Sequence, residues 1–174
     1  MTGAGHRGFS LIEIVVALAV GAILMALVGS VFVSSLRAWR HGQNLRDAQS
    51  HAATLVDVMA RDVRAASQAP SVWVRPPIEV PEGEPLLALS SPAALEGGPA
   101  WIVYVFVPDR QEVRRQVVAF SPEGVTVVRE SRPVGLGVTR LSVEQVADGV
   151  TIEAEVRRDR AVGHSRTTAA PRNP

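Results

Sequence analysis

The stretch "FSLIEIVVALAVGAILMALVGSVFV", residues 9–33, decides the architecture. From Ile14 to Val33 it has no charged side chain, and Ser30 is its one hydroxyl. At about 1.5 Å rise per residue, a helix over that segment spans roughly 30 Å, the thickness of a bilayer's hydrocarbon core. One carboxylate, Glu13, stands at the mouth of the segment, just after a short basic start, "HRG" at 6–8. A charge in that place is costly unless something answers it, so Glu13 needs an explanation.

Three readings compete for it. A secretory signal peptide needs an apolar run of about 7–15 residues followed by a small-residue cleavage site. Here the run is longer, its small-residue candidates lie only around Gly29 and Ser30, and Glu13 sits where such a peptide is uncharged. A plain single-pass anchor fits the length and tolerates Glu13 by snorkelling, but gives the carboxylate no purpose.

The third reading rests on "RGFSLIE", residues 7–13, which resembles the processing site of type IV prepilins and of the pseudopilins of type II secretion. The resemblance implies that a membrane-embedded prepilin peptidase cuts after a basic leader ending in Gly. It also implies that the new N-terminal residue, usually Phe, is methylated, and that an acid stands at the fifth mature position. Gly8 is then the last leader residue, Phe9 the methylated first residue and Glu13 the assembly acid. The resemblance is strong over residues 6–35. Farther on, "LVDVMARDVRAAS" (55–67) and "TTAAPRN" (167–173) resemble segments of minor pseudopilins of the J type and minor pilins of the W type. Many major pilins carry Pro where this chain has Ser30, and its first proline is Pro70, so no proline break is expected in the membrane segment.

Cleavage would create an amine on Phe9, with Glu13 one helical turn along on the same face. The helix macrodipole favours a carboxylate there. In a filament whose subunits are shifted along the axis, the resemblance implies that one subunit's Glu13 meets the next subunit's amine. Unpaired charges in an apolar filament core cost several kcal/mol each, so such a pair makes assembly selective. The implied partners are other pilin or pseudopilin subunits, the prepilin peptidase, an inner-membrane assembly platform and membrane lipid. The implied location is the bacterial inner membrane, crossed once with the C-terminal part periplasmic, and then a filament or pseudopilus tip. Arg7 on one flank against Arg37, Arg40 and Arg46 on the other would place the C-terminal part in the cytoplasm by the positive-inside rule. The resemblance implies the opposite, because the leader must meet a cytoplasm-facing peptidase.

Past Val33 the composition turns polar while helical spacing persists. Leu45, Ala48, Ala52, Leu55, Met59, Val63 and Ala66 recur at three and four residues, one stripe of a helix, with Asp57 and Arg61 on the solvated side. The helix is expected from about Phe9 to Ser67, with Gly42 a possible bend. Small Ala alternates with large residues along the stripe, which suits packing on the chain's own sheet. Loops follow at "RPPIEVPEGEP" (75–85) and "SSPAALEGGPA" (91–100), where Pro and Gly crowd.

Strands are expected at 72–74, 86–89, 100–107, 113–120, 125–129, 138–146 and 150–157. "WIVYVFV" (101–107) is apolar on both faces and reads as a central strand. Asp148 and Gly149 suit a two-residue hairpin turn that sets Leu141 opposite Val156, Val143 opposite Ala154 and Glu144 opposite Glu153. A second hairpin is expected at "SPEG" (121–124), and an edge strand or loose tail near 165–170. The fold class is α+β: a long N-terminal helix, half membrane and half amphipathic, on an antiparallel β-sheet. Its parts are a leader (1–8), a transmembrane or filament-core helix (9–33), an amphipathic helix (34–67) and a β-rich domain (68–174).

Composition narrows the function. The 174-residue chain has a net charge of +1 and no cysteine, which excludes disulfides, a thiol nucleophile and thiolate metal sites, and gives no electrostatic case for nucleic acid. His41 and His51 lie about 80° apart around a helix and do not form a ligand pair. Glu82, Glu84, Asp109, Glu112 and Asp148 lack calcium-loop spacing, and Trp39, Trp73 and Trp101 read as membrane-interface and core residues. No catalytic signature appears, so no catalytic residue, metal or cofactor is assigned. The expected function is a structural minor pilin or pseudopilin subunit. The alternative is a membrane-anchored extracytoplasmic binding or sensory domain, with loops 76–85 and 92–99 as its ligand surface.

Overall fold

The computed structural model describes residues 10–66, 72–78, 80, 82–90, 100–120, 126–147 and 149–171. Among the described residues one α-helix, α1, spans Leu11–Ala65 and is followed by eight strands. The chain divides into a unit ending at Gly42 and a second beginning at Gln43, and α1 is helical through both residues. In the first unit Leu11, Ile12, Val15, Leu18, Ile23, Met25, Val28 and Phe32 are all exposed, so apolar side chains point in every direction around the helix. A helix with no polar face belongs in lipid or among other apolar helices.

In the second unit the strands are β1 (Val72–Val74), β2 (Glu84–Ser90), β3 (Ala100–Val107), β4 (Glu112–Phe120) and β5 (Thr126–Leu136), then β6 (Val138–Val146), β7 (Gly149–Arg158) and β8 (Ala161–Ala169). They form two antiparallel sheets, one in the order β1-β2-β3-β4-β5 and one in the order β6-β7-β8. The single expected sheet is thus two. The change of sheet occurs at Gly137, whose φ of 72° is open to glycine but strained for other residues. Val138 N–H donates to Gln111 O, and Arg157 N–H to Gly137 O, each at 2.8 Å, which ties the junction to both sheets.

The predicted helical stripe is the core. Ala48, Ala52, Leu55, Met59, Val63 and Ala66 are buried, with Val56 and Ala60 widening the face, while Leu45 is 40% exposed and leaves the stripe. From Ala52 onward these side chains cluster with Leu87, Leu89, Ile102, Tyr104 and Val113 of the larger sheet and with Val138, Leu141, Val143, Ile152, Ala154 and Val156 of the smaller. β3 is the central strand of its sheet, and the reason for its two apolar faces is visible. Ile102 and Tyr104 face the helix, whereas Val103, Val105 and Val107 join Ala88 and Val118 in a second cluster on the outer face.

Ile78 and Val80 from the Pro-rich loop pack on that outer cluster. Glu82 fastens the loop by an ion pair to Arg114 at 2.8 Å, with Arg110 3.7 Å away. The described part of the first loop therefore covers the sheet. The second proposed ligand loop, 92–99, lies outside the described residues, as does the expected turn at 121–124. The strands on either side of that turn pair antiparallel, Phe120 opposite Thr126.

The β6–β7 register differs from expectation by two residues. Val146 pairs with Gly149, Leu141 with Ala154 and Val143 with Ile152, so Gly149 closes the hairpin instead of turning it. A two-residue shift leaves every side chain on its expected face. It also removes the opposition of two acids, because Glu144 now faces Thr151, and Glu153 lies between Ser142 and Arg166.

β8 is longer than the expected edge strand. Its Gly163 lies against the backbone of α1, where an added Cβ would meet the carbonyl carbon of Ala48 and the nitrogen of Gln49, each at 2.4 Å. Ala48 and Gly163 are small for one reason: the strand touches the helix backbone there.

Candidate processing and assembly site

The start of α1 is set by Ser10 and Glu13. Ser10 N–H donates to Glu13 Oε2 at 3.0 Å, and Glu13 N–H donates to Ser10 Oγ at 3.3 Å. This reciprocal pair is the capping box of the pattern S-x-x-E, in which two otherwise unpaired backbone donors of the first turn are satisfied. The spacing "SLIE" was legible in the sequence, yet reading Glu13 only as an isolated charge passes over Ser10. Glu13 is exposed and borders a shallow apolar groove formed by Ile12, Val16, Ala17, Val20, Gly21 and Leu24. Gly8 and Phe9, the expected processing residues, lie outside the described residues.

Farther along, Ser30 in the apolar segment and Ser34 and Ser35 just beyond it are satisfied within the helix. Ser30 Oγ donates to Leu27 O and Ser34 Oγ to Val31 O at 2.8 Å, and Ser35 Oγ to Val31 O at 2.9 Å. Each of these polar side chains therefore enters an apolar environment with a partner already in place. Trp39 is exposed on the same helix, while Trp73 and Trp101 pack on each other with ring centroids 5.3 Å apart.

The segment 55–67 contributes Asp62 to a second group of polar residues. Asp62 Oδ2 accepts from the Tyr104 hydroxyl and from Arg115 Nε–H, both at 2.7 Å. The three side chains join α1 to β3 and β4. Burial, then the adjacent carboxylate, holds the Tyr104 hydroxyl far above the ordinary tyrosine range. Burial by itself would lower the Arg115 value, but the hydrogen bond and charge of Asp62 outweigh it, so Arg115 stays firmly charged. A hydroxyl and a guanidinium on one carboxylate oxygen make a tie between the helix and the sheet. The sequence marked this segment by resemblance; the partners of Asp62 lie far along the chain and could not be read from it.

The candidate metal residues are not gathered. Among the described residues no group of three or more His, Asp or Glu side chains could hold a metal ion. Glu82 and Glu112 are instead engaged with Arg114, and Asp148 lies outside the described residues. His41 and His51 are exposed on α1, and His164 stands 3.9 Å from Glu155 on the surface of the smaller sheet.

Residues 4–29 match the family model described as the prokaryotic N-terminal methylation motif, a stretch that includes Gly8, Phe9, Ser10 and Glu13. No curated protein and no solved structure matches the chain. The motif supports a protein of the type IV pilin-like class, processed by a prepilin peptidase and associating with other subunits of that class. Together with the apolar helix, long enough to cross a bilayer, it supports membrane anchoring.

Proposed function

We propose that the chain is a minor pilin or pseudopilin subunit, cut between Gly8 and Phe9, methylated on Phe9, and assembled into a type II secretion pseudopilus or a type IV pilus. It serves protein secretion, pilus priming or DNA uptake as a structural component. In this reading residues 1–8 are the leader, 9–33 the membrane or filament-core helix, 34–67 its amphipathic continuation and 68–174 the periplasmic domain. Glu13 pairs with the N-terminal amine of a neighbouring subunit and selects correct assembly. Residues 55–67 support a place among the minor subunits of the J or W type.

The observation that carries the proposal is the coincidence, at one helix start, of the methylation motif with a carboxylate and an all-round apolar helix. Mass spectrometry of the N-terminus, on protein expressed with a prepilin peptidase, tests it. The expected product lacks residues 1–8 and carries one added methyl on Phe9. An intact N-terminus, or cleavage near Ser30, would refute the proposal.

A further inference from the structure

We infer that Ser10 is a positioning residue for Glu13: it orients the carboxylate for the neighbouring subunit before that neighbour arrives. The inference rests on the assembly role proposed above for Glu13. It is drawn from the two hydrogen bonds that join the residues across the first turn of α1.

A free Glu side chain has several rotamers, and ordering it on assembly costs up to about 1.5–2 kcal/mol of rotamer entropy. Here that ordering is already done. Glu13 Oε2 is held by Ser10 N–H, while Ser10 Oγ holds the Glu13 backbone, so both ends of the acidic residue are fixed to Ser10. Oε1 takes no part in either bond. A carboxylate has about four acceptor sites on its two oxygens, so the capping bond and an ammonium can be accommodated together. The cap therefore prepares the intersubunit pair and does not compete with it. It also gives the carboxylate a partner while the subunit waits in the membrane, where an unpartnered charge is most costly.

The distinction from an ordinary helix cap is that Ser10 acts through Glu13. A double-mutant cycle on the full chain in its native assembly isolates this dependence. The variants are Ser10→Ala, Ser10→Thr, Glu13→Ala and Ser10→Ala/Glu13→Ala. The readout is the fraction of processed subunit that cross-links to other filament subunits, normalised to its level in the membrane. Ser10→Ala is expected to lower that fraction about fivefold, the usual effect of losing a cap. Ser10→Thr, which keeps the hydroxyl, is expected to restore it. The double variant is expected to be no worse than Glu13→Ala alone.

Normal incorporation of Ser10→Ala beside a defective Glu13→Ala would overturn the inference and leave the assembly role standing. Independent, additive effects would also overturn it, reducing Ser10 to a helix cap. Normal incorporation of Glu13→Ala would instead remove the assembly role itself.

Discussion

At the scale of single residues, Glu13 has two duties that the sequence alone presents as one. It caps α1 through Ser10, and in the proposed role it supplies a charge to a neighbour. Gln fits the third helical position of a capping box as Glu does, so Glu13→Gln separates the duties. The helix start should survive in Glu13→Gln, with helix content in detergent unchanged by circular dichroism. Incorporation should nevertheless fall as far as in Glu13→Ala, because the ammonium loses its counter-charge. Near-normal incorporation of Glu13→Gln would show that the cap, and not the charge, is what assembly needs. The role proposed for the acid was read from "RGFSLIE" by resemblance. Its bond to Ser10 was equally local, and was hidden only because a charge in an apolar run draws attention to its cost rather than to its neighbours.

At the scale of elements, α1 and the strands were legible where period and composition agree. The central place of β3 followed from its two apolar faces, and the buried stripe of α1 from its three- and four-residue spacing. Leu45 was misplaced because a helical period fixes direction around an axis but not where along it the packing begins. β8 was only half seen, since "AVGHSRTTA" lacks the alternation of apolar and polar residues that marks a strand. Its inward side is made of Ala161, Gly163 and Ala169, residues chosen for closeness to other backbone rather than for bulk. That contact makes a sharp prediction. Gly163→Val places atoms inside the Ala48 and Gln49 backbone and should destabilise the folded domain by roughly 1–3 kcal/mol, the range for overpacking. Chemical unfolding of the full chain in detergent, followed by tryptophan fluorescence, would measure it; an unchanged midpoint would show that β8 can move away without loss.

At the scale of the whole molecule, two sheets share one helical face, and this was not legible. Alternation identifies strands but does not say which sheet each joins, and the decisive switch is one backbone angle at Gly137. The Asp62–Tyr104–Arg115 tie adds a polar fixed point to that shared core. Its stability has a definite pH signature. Below about pH 10 the Tyr104 hydroxyl is protonated in folded and unfolded chains alike and adds no pH dependence. Above that, the unfolded chain releases the proton while the folded chain, with its raised value, retains it. The unfolded state then binds fewer protons, so stability falls as pH rises, by up to about 1.4 kcal/mol per pH unit for this one group. Tyr104 is the chain's one tyrosine, which makes the effect assignable. Tyr104→Phe should be less stable near neutral pH by about 1.5–3 kcal/mol, the worth of a hydrogen bond to a charged group. It should also lose this alkaline decline when urea midpoints are compared from pH 7 to 11. The meeting of Ala48 with Gly163 finally sets an order in time. Translation delivers α1 before the strands, and β8, which meets it at Ala48, follows every other described strand. Until then the Ala48 end of the helix face lacks its cover while the rest of the stripe already has strands to pack on, so that end is exposed longest in the growing chain, a window for aggregation.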